Sequence, residues 1–247
     1  MSPVHSLRAK IRFKKTEVGE IPVDWEVIRL GDYCEVWGGG TPSIHKPEYW
    51  NGDIPWAVPQ DIKKLKGNVI EDTQKTITEE ALANSRAKIL PAGSILLAVR
   101  VAVGECAINS RPMATSQGFA NLVCRRNLHN RFLLYRLKFM RKELDSLSRG
   151  SAYRQISKQS IRKLRIPLPA FEEQKKIADI LAAIDEAIVK KQEIIEKTQA
   201  LRNSLTALLS QPDEMTGKEH SQVTILVNLQ TGLTEGLLTG KIRVGSK

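Results

Sequence analysis

The sequence predicts a mixed α/β domain followed by a long coiled-coil-type α-helix and a shorter C-terminal helix. Short apolar runs bounded by Gly, Asn, Ser or Pro alternate with helical patterns as far as residue 170. Residues 170–211 contain neither Pro nor Gly, and their apolar side chains recur in steps of three, four or seven. We therefore divide the 247 residues into a body at 1–170, a long helix at 171–211, and a linker with a helical segment at 212–247.

The first half of the body combines weak secondary-structure signals with several aromatic residues. Residues 19–22 predict a turn, and residues 25–28 predict a short strand that leads into one helical turn. The stretch 38–64 is rich in Gly and Pro, which predicts irregular backbone. It also carries Trp50 and Trp56, so we expect it to pack against the core, with both indoles in the interior and not stacked on bases.

The second half of the body has clearer signals. Thr78 is a suitable N-cap for a short helix at 79–86. Three apolar runs predict strands, at 94–99, 103–108 and 118–124. A helical pattern at 130–150 predicts one amphipathic helix. A polar, basic loop at 151–160 then leads to a short edge strand at 163–169, whose two prolines cannot donate to a ladder.

Charge is segregated along the chain. The formal net charge is +11, and residues 86–165 hold seventeen Lys or Arg against three acidic residues. The first fifteen residues add five cations and no acid, whereas residues 166–211 hold six basic and seven acidic side chains. A cationic body beside a near-neutral helix is the distribution expected of a protein that binds a phosphate backbone. The solvated surface of an ordinary basic protein would show it too.

The sequence contains no recognisable catalytic motif. The three cysteines are widely spaced, which excludes a disulfide framework and a CxxC metal pair and favours a reducing, cytoplasmic location. The four histidines lie far apart, and the run Gly38-Gly39-Gly40-Thr41 lacks the Gly-Lys-Ser/Thr ending of a phosphate-binding loop. No run of eighteen apolar residues occurs. We therefore expect no catalytic residue, no metal site, no bound cofactor and no membrane contact.

Recognition is the function that remains, and three loops offer suitable side chains. Basic and hydroxyl side chains anchor phosphates, while Arg, Asn and Gln read base edges. The loops at 41–46, 110–117 and 149–158 mix these residue types. The third is the strongest candidate, although an ordinary polar connection has a similar composition. The predicted DNA-binding residues are Thr41, Ser43, Lys46, Arg100, Arg111, Ser116, Gln117, Arg149, Ser151, Tyr153, Arg154, Gln155 and Lys158.

The long helix carries an apolar stripe that is broader than one two-stranded contact needs. One register forms the predicted dimer or partner interface, which consists of Ile177, Leu181, Ile184, Ile188, Ile195 and Leu205. A second register runs beside it every seven residues and includes Ile194 and Leu201. We expect the helix to be a spacer of about 60 Å that also assembles with more than one neighbour. The C-terminal segment is expected to pack back along it as a second helix.

Several long strings, in order along nearly the whole chain, resemble the specificity subunit of type I restriction–modification systems. They are EVGEIPVDWEVIRLGD, GGGTPSIHKPEYWNGDIPW, ITEEALANSRAKILPAGSILLAVR, GSAYRQISKQSIRKLRIPLP, EEQKKIADILAAID and GLTEGLLTGKIRV. Members of this family usually carry two target-recognition domains separated by two long helices. Each domain reads half of a split DNA target, and the helices fix the gap between the halves.

This sequence has one such domain and one clear long helix, so it resembles a half-length subunit. The resemblance implies that two copies pair as a homodimer and read a palindromic, split target in double-stranded DNA. It also implies a non-catalytic subunit that scaffolds methyltransferase and restriction subunits. S-adenosylmethionine, ATP and magnesium are then expected only on those partner subunits.

Two other interpretations stay open. An autonomous dimeric DNA-binding regulator would share the cationic body and the coiled-coil helix, but it would bind its site tightly without partner subunits. A degenerate piece of a restriction enzyme would cleave duplex DNA in the presence of magnesium. Co-purification with a methyltransferase and a cleavage assay separate these alternatives.

Overall fold

The computed structural model describes residues 12–125, 127–148, 155–209, 228 and 231–241, with the side chains of 204–209 excepted. It begins with a β-hairpin formed by β1 (Phe13–Thr16) and β2 (Gly19–Pro22). Gly19 has a φ of +105°, a conformation that glycine adopts without steric cost at the reversal. The predicted turn at 19–22 is therefore wrong, because those residues form the second strand of the hairpin.

Short strands and short helices alternate through the rest of the body. In chain order they are β3 (Glu26–Arg29), α1 (Leu30–Tyr33), β4 (Cys34–Gly38), a 3-10 helix (Pro47–Tyr49), β5 (Trp50–Ala57), α2 (Pro59–Lys64), β6 (Val69–Ile70), β7 (Thr76–Ile77), α3 (Glu79–Ala83), β8 (Ile95–Ala98), β9 (Cys106–Asn109), β10 (Ala114–Thr115), β11 (Phe119–Cys124), α4 (Asn130–Phe139), α5 (Arg141–Ser148), α6 (Lys158–Lys163), β12 (Arg165–Leu168) and α7 (Phe171–Leu209). Residues 231–238 are also helical. The mixed α/β class and the long helix are thus confirmed.

A five-stranded sheet with the order β4-β11-β8-β9-β6 forms the centre of the described body. Its strands β8, β9 and β11 confirm the three predicted strands. Ile95 and Leu97 face one hydrophobic core, whereas Leu96 and Ala98 face another, and all four side chains are fully buried. Because both faces of the sheet are covered, β8 is a continuous apolar run and does not alternate with polar residues.

A second sheet, with the order β10-β5-β7, corrects the prediction for residues 38–64. The expectation of irregular backbone is wrong at the centre of this stretch, where β5 spans eight residues despite containing Pro55. Its pairing with β7 is irregular and includes a register shift, typical of a bulge. Trp56 is buried as predicted, and half-buried Trp50 packs edge-to-face on it with ring centroids 5.1 Å apart.

The helical part of the body departs from prediction in two places. The predicted helix at 130–150 is interrupted at Met140, whose ψ is 11° where a helix requires about −42°. Leu144 N still donates to Met140 O at 2.9 Å, so α4 and α5 follow each other across a kink. The predicted loop at 151–160 is wrong at its end, because Ser157 caps α6 by accepting a hydrogen bond from a backbone N–H of that helix.

Buried polar side chains attach the first turn of α7 to the body. Gln174 is fully buried; its side-chain N–H groups donate to two backbone carbonyls at 2.9 Å, and its Oε1 accepts from His129 N at 2.9 Å. Glu173 Oε2 accepts a hydrogen bond from the Trp25 indole at 3.1 Å. Just before α7, β12 pairs antiparallel with β3, which confirms the predicted short strand. The helix therefore leaves the body from a hydrogen-bonded base.

The C-terminal helix packs at the N-terminal end of the body. Leu237 and Leu238 are buried in the same core as Trp25 and the first turns of α7. A Cβ on Gly240 would lie 2.2 Å from Pro22 Cγ, so the backbone at Gly240 packs closely against the Pro22 ring. The predicted helix is confirmed. Its expected packing along the long helix stays a prediction, and Leu237 and Leu238 share a core with Ile177 and Leu181 of α7.

Candidate nucleic-acid interface

An open cleft of about 930 Å³ lies at one end of the central sheet. The described residues that line it are Val36, Trp37, Gly38, Gly39, Gly40, Thr41, Ser43, Asn84, Ser85, Arg86, Lys88, Gln117 and Lys158. Four residues predicted from the sequence, Thr41, Ser43, Gln117 and Lys158, therefore share one surface. They come from all three predicted loops, which lie far apart in the chain.

The glycine run at 38–40 crosses the cleft, and neighbouring backbone leaves no room for a side chain at Gly39 or Gly40. A Cβ on Gly39 would lie 2.0 Å from Ser116 O, and one on Gly40 would lie 2.2 Å from Ala87 N. Gly40 N donates to the backbone of β10 at 2.9 Å, which ties the run to the second sheet. The run therefore serves close packing of backbone segments.

Aromatic side chains hold the loop that follows the glycine run. Trp50 Nε1 donates to Ser43 O at 3.2 Å, and Trp56 Nε1 donates to a carbonyl of the glycine run at 2.9 Å. Lys46 Nζ donates to the Tyr49 hydroxyl at 2.9 Å, and this hydrogen bond raises the pKa of Lys46. The side chains of Ser43 and Lys46 remain exposed beside the cleft.

The described lining of the cleft is cationic. Arg86, Lys88 and Lys158 contribute three positive charges, and none of the described lining residues is Asp or Glu. All three side chains are exposed, so a phosphate can approach them without displacing protein groups. The neutral polar groups between them supply hydrogen-bond donors and acceptors in the same space.

Residues 84–88 are the part of this surface that the sequence analysis missed. Thr78 Oγ1 caps α3 by accepting from Ala81 N at 3.2 Å, which confirms the predicted cap. The predicted extent of that helix is wrong, because α3 ends at Ala83 and the segment NSRAK then passes beside the glycine run. One sequence feature could have identified this segment: two cations with polar neighbours directly follow a short capped helix.

Arg100 and Gln155 lie next to the cleft and contact each other. Arg100 Nε donates to Gln155 Oε1 at 2.8 Å. Val99, the residue before Arg100, makes two backbone hydrogen bonds: its N donates to Gly118 O at 2.8 Å, and its O accepts from Ile156 N at 3.2 Å. These hydrogen bonds bring the end of β8 between the other two loops of the predicted site.

Two predicted DNA-binding residues do not present their side chains to the cleft. Ser116 is buried, and its hydroxyl accepts a hydrogen bond from Gly118 N at 3.4 Å, so it supports the loop from within. Arg111 lies at the opposite end of the sheet, because nearby Asn109 pairs with Ser94 at the start of β8 while the cleft adjoins the end of β8. Loop composition does not reveal which end of a sheet a loop occupies.

Part of the predicted site lies outside the described residues. This part comprises Arg149, Ser151, Tyr153 and Arg154, together with the side chain of Leu205 on α7. Of the predicted DNA-binding residues in the loop at 149–158, the structure describes Gln155 and Lys158, and both are at or beside the cleft.

The apolar stripe of α7 divides between the body and solvent. Ile177 and Leu181 are fully buried in the core of their own chain, so their prediction as dimer or partner contacts is wrong. The half-buried members of the stripe are Ile184, Ile188 and Ile195. Ile194 and Leu201, from the second register, expose 61% and 62% of their surface. The exposed apolar face therefore lies in the distal half of a helix about 58 Å long.

A cluster of four polar side chains, here called the latch, joins the middle of α7 to the body. Asp185 accepts hydrogen bonds from the Tyr135 hydroxyl at 2.8 Å and from Asn68 Nδ2, and Lys138 Nζ donates to Asn68 Oδ1. Burial, followed by the negative charge of Asp185, raises the pKa of Tyr135, so its hydroxyl stays protonated at neutral pH.

A pocket of about 360 Å³ lies beside the latch, between α7 and the edge of the body. Lys66 lines this pocket, and its Nζ forms an ion pair with Glu196 Oε2 at 2.8 Å. Both of these side chains are exposed, so solvent screens the pair and it contributes little to stability. The hydrogen bonds of the latch are therefore the stronger attachment.

The three cysteines lie within the described residues and are buried or half-buried. Within the described ranges, no group of three or more His, Cys, Asp or Glu is placed to hold a metal ion. Burial raises the pKa of Cys34, Cys106 and Cys124 to about 12, so these thiols are protonated at neutral pH. None of the described helices combines the length and the apolar character needed to cross a membrane.

Two solved structures share this fold. One belongs to work titled "Structural basis underlying complex assembly and conformational transition of the type I R-M system"; its TM-score is 0.54 at 20% identity, and the match covers 97% of this chain and 51% of that chain. The other is the HsdS subunit from Thermoanaerobacter tengcongensis, with a TM-score of 0.51 at 20% identity and coverage of 97% and 50%. The fold is thus that of HsdS subunits.

Curated relatives are more similar in sequence. The Type I restriction enzyme MjaIX specificity subunit of Methanocaldococcus jannaschii is 38% identical over 195 residues, which are 77% of this chain and 45% of the relative. The Type I restriction enzyme EcoR124I/EcoR124II specificity subunit of Escherichia coli is 27% identical over 217 residues, which are 85% of this chain and 48% of the relative. The chain spans about half the length of the curated relatives it matches.

A protein-family model matches most of the described chain. The family model described as Type I restriction modification DNA specificity domain matches residues 22–198. This range includes the cleft, the latch and most of α7. The chain belongs to this family, as the resemblance in its sequence motifs predicted.

Proposed function

We propose that this chain is the DNA-recognition subunit of a type I restriction–modification complex and reads one half of a bipartite target. The observation that carries the proposal is the cationic cleft, which lies within the matched family region and combines three cations with Thr, Ser, Asn and Gln side chains. Cations anchor phosphates whatever the sequence, while neutral polar groups hydrogen-bond to base edges. Specific binding requires both kinds of contact.

A second part of the proposal is that two copies pair through α7. Support comes from the exposed apolar side chains of Ile194 and Leu201. If the two helices pack antiparallel about a two-fold axis, each body lies at an opposite end of the pair, and the two clefts read an inverted repeat.

The proposed subunit is non-catalytic and scaffolds methyltransferase and restriction subunits. Its relatives are each named as the specificity subunit of a type I restriction enzyme, and a specificity subunit acts within a larger enzyme. S-adenosylmethionine, ATP and magnesium would be held by the partner subunits. Their absence from this chain is part of the proposal, and it predicts that the purified chain neither methylates nor cleaves duplex DNA by itself.

The cleft is tested by removing two of its positive charges in the complex with methyltransferase subunits. The double variant R86Q/K88Q is expected to weaken DNA binding about 10- to 100-fold and to reduce the slope of log affinity against log salt by about 2, because two phosphate contacts are lost. The matched control K190Q/K197Q removes two charges from α7 and should leave the slope unchanged. An equal effect of both variants would contradict the assignment of the cleft.

Assembly and activity are tested with the unmodified chain. Co-purification with a methyltransferase, together with methylation of a split palindromic target, supports the proposed subunit. Tight, salt-resistant, specific binding by the chain alone, without affinity for a methyltransferase, supports an autonomous regulator instead. Cleavage of duplex DNA by the purified chain with magnesium supports the nuclease alternative. A strictly monomeric chain in light scattering contradicts the pairing through α7.

A further inference from the structure

The turn between β8 and β9 contains a valine in an unfavourable backbone conformation. Val101 has a φ of +63°, and Ala102 N donates to Arg100 O at 2.7 Å across it. This i to i+2 hydrogen bond with a positive central φ is the rare, strained form of the γ-turn. Within the described ranges, only Asn51 also combines a side chain with a positive φ, and Asn tolerates that region far better than a β-branched residue.

The surrounding hairpin imposes this conformation. Glu105 O accepts from Ala98 N at 2.8 Å, Gly104 N donates to Ala98 O at 3.0 Å, and Glu105 N donates to Ala102 O at 3.0 Å. The Glu105 carboxylate also pairs with Arg141 Nη2 at 2.7 Å, which ties the turn to α5. The turn is therefore a rigid support that projects one side chain.

Burial does not compensate for this conformation. Val101 exposes 83% of its surface, more than any other large apolar residue in the described part of the chain. A single exposed valine is ordinary, and a strained buried residue is explained by its packing. A valine that is both strained and exposed contributes little to folding. Folding alone therefore does not explain a valine at position 101, whereas a contact with another molecule would.

The position of the turn indicates where that contact lies. Val101 follows Arg100, whose Nε donates to Gln155 Oε1 at 2.8 Å at the margin of the cationic cleft. Val99, two residues earlier, pairs with Gly118, which is adjacent to the cleft residue Gln117. Val101 therefore lies at the same end of the sheet as the polar groups of the cleft.

We infer that Val101 is a specificity-determining residue that contacts the 5-methyl group of a thymine in the major groove. This inference rests on the proposed function. The thymine methyl group is the apolar feature that a base pair presents in that groove, and small apolar side chains recognise it. Side chains that act as wedges between base pairs are longer or planar, as in Phe, Leu, Ile or Met. A short branched side chain beside Arg100 and Gln155 fits an edge contact.

The first test separates strain from function. In V101G the steric conflict is gone, so the midpoint of thermal unfolding is expected to rise by about 2–4 °C. The same change removes the methyl contact, so affinity for the specific duplex is expected to fall about 10-fold. V23A, which shortens an exposed valine beside the N-terminal hairpin, is the matched control and should change neither quantity. A midpoint for V101G that is equal to or below that of the wild type overturns the claim of strain.

The second test identifies the contacted group. The wild-type chain, in complex with its methyltransferase, selects its target from a random duplex library, and each thymine of that target is then replaced by uracil, which lacks the methyl group. One replacement is expected to weaken wild-type binding about 10-fold and to leave V101A binding unchanged, because V101A has already lost the contact. If V101A responds to every replacement as the wild type does, the inference about Val101 is overturned. If the wild type selects no target, the proposed function itself fails.

Discussion

The latch makes the direction of α7 depend on one carboxylate, and D185A tests this dependence. Asp185 accepts two hydrogen bonds from the body, one from Tyr135 at 2.8 Å and one from Asn68. Under the proposed function, the direction in which α7 leaves the body sets where the second body lies on DNA. Removing the carboxylate should therefore loosen the middle of the helix while the fully buried base at Gln174 stays attached.

The magnitude follows from the geometry. A hydrogen bond to a charged group contributes about 1.5–3 kcal/mol, and two such bonds end on Asp185. Asp185 is only partly buried and borders a pocket of about 360 Å³ that water can enter, so solvent replaces part of the loss. We expect D185A to reduce the free energy of unfolding by about 2 kcal/mol and the thermal midpoint by about 4–8 °C.

Hydrogen exchange and a double-mutant cycle provide the assay. Amides at 182–196 should lose protection in D185A, whereas amides near Gln174 should keep it. The cycle with Y135F should give a coupling of about 1.5 kcal/mol, because the two groups share one hydrogen bond. E186A removes a neighbouring exposed carboxylate and serves as the control. If D185A matches E186A in stability and in exchange, the hydrogen bonds of the latch do not hold the helix, and the reasoning fails.

Three further predictions follow from burial and steric contact. The pKa of Tyr135 is raised in the folded chain, so near pH 10 the unfolded chain releases a proton that the folded chain retains. The free energy of unfolding should therefore fall above about pH 10, and it should fall less steeply in Y135F. Denaturant titrations at several pH values would measure both slopes. G39A should lower the free energy of unfolding in urea by about 2 kcal/mol or more, since its Cβ would meet a backbone oxygen at 2.0 Å. The control G232A has no atom within 4 Å of the new Cβ and should not lower it. Equal stabilities of the two variants would contradict the close packing at Gly39. I194E should separate a dimer into folded monomers in light scattering, because Ile194 is exposed, whereas I177E should unfold the body, because Ile177 is fully buried. A folded, dimeric I177E would refute the assignment of Ile177 to the core and of Ile194 to the exposed face.

The site could be predicted from sequence only in part. Composition marked the loops that carry Thr41, Gln117 and Lys158, because anchoring phosphates and reading bases requires those residue types. It gave no reason to choose Arg86 over Arg111, since both are basic residues in the same charged block. Their difference arises from the strand order and from where α3 ends, which place one at the cleft and the other at the far end of the sheet.

The stripe on α7 illustrates the same limit. A heptad pattern predicts which residues share one face of a helix, because spacing along the chain alone decides that face. It cannot distinguish Ile177, which the chain buries in its own core, from Ile194, which it leaves exposed. The helical pattern at 130–150 likewise predicted helix correctly and missed the break at Met140.

By itself the sequence determined the mixed α/β class, the extent of the long helix to within two residues, the cationic character of the body and the family motifs. These are properties of neighbouring residues, since periodicity, capping and local charge do not depend on what packs against them. Tertiary structure alone decided which loops meet in the cleft, which part of α7 is covered, and that Asp185 meets Tyr135 across the latch. Contacts between residues far apart in the chain depend on the packing of the whole fold, and no local pattern encodes them.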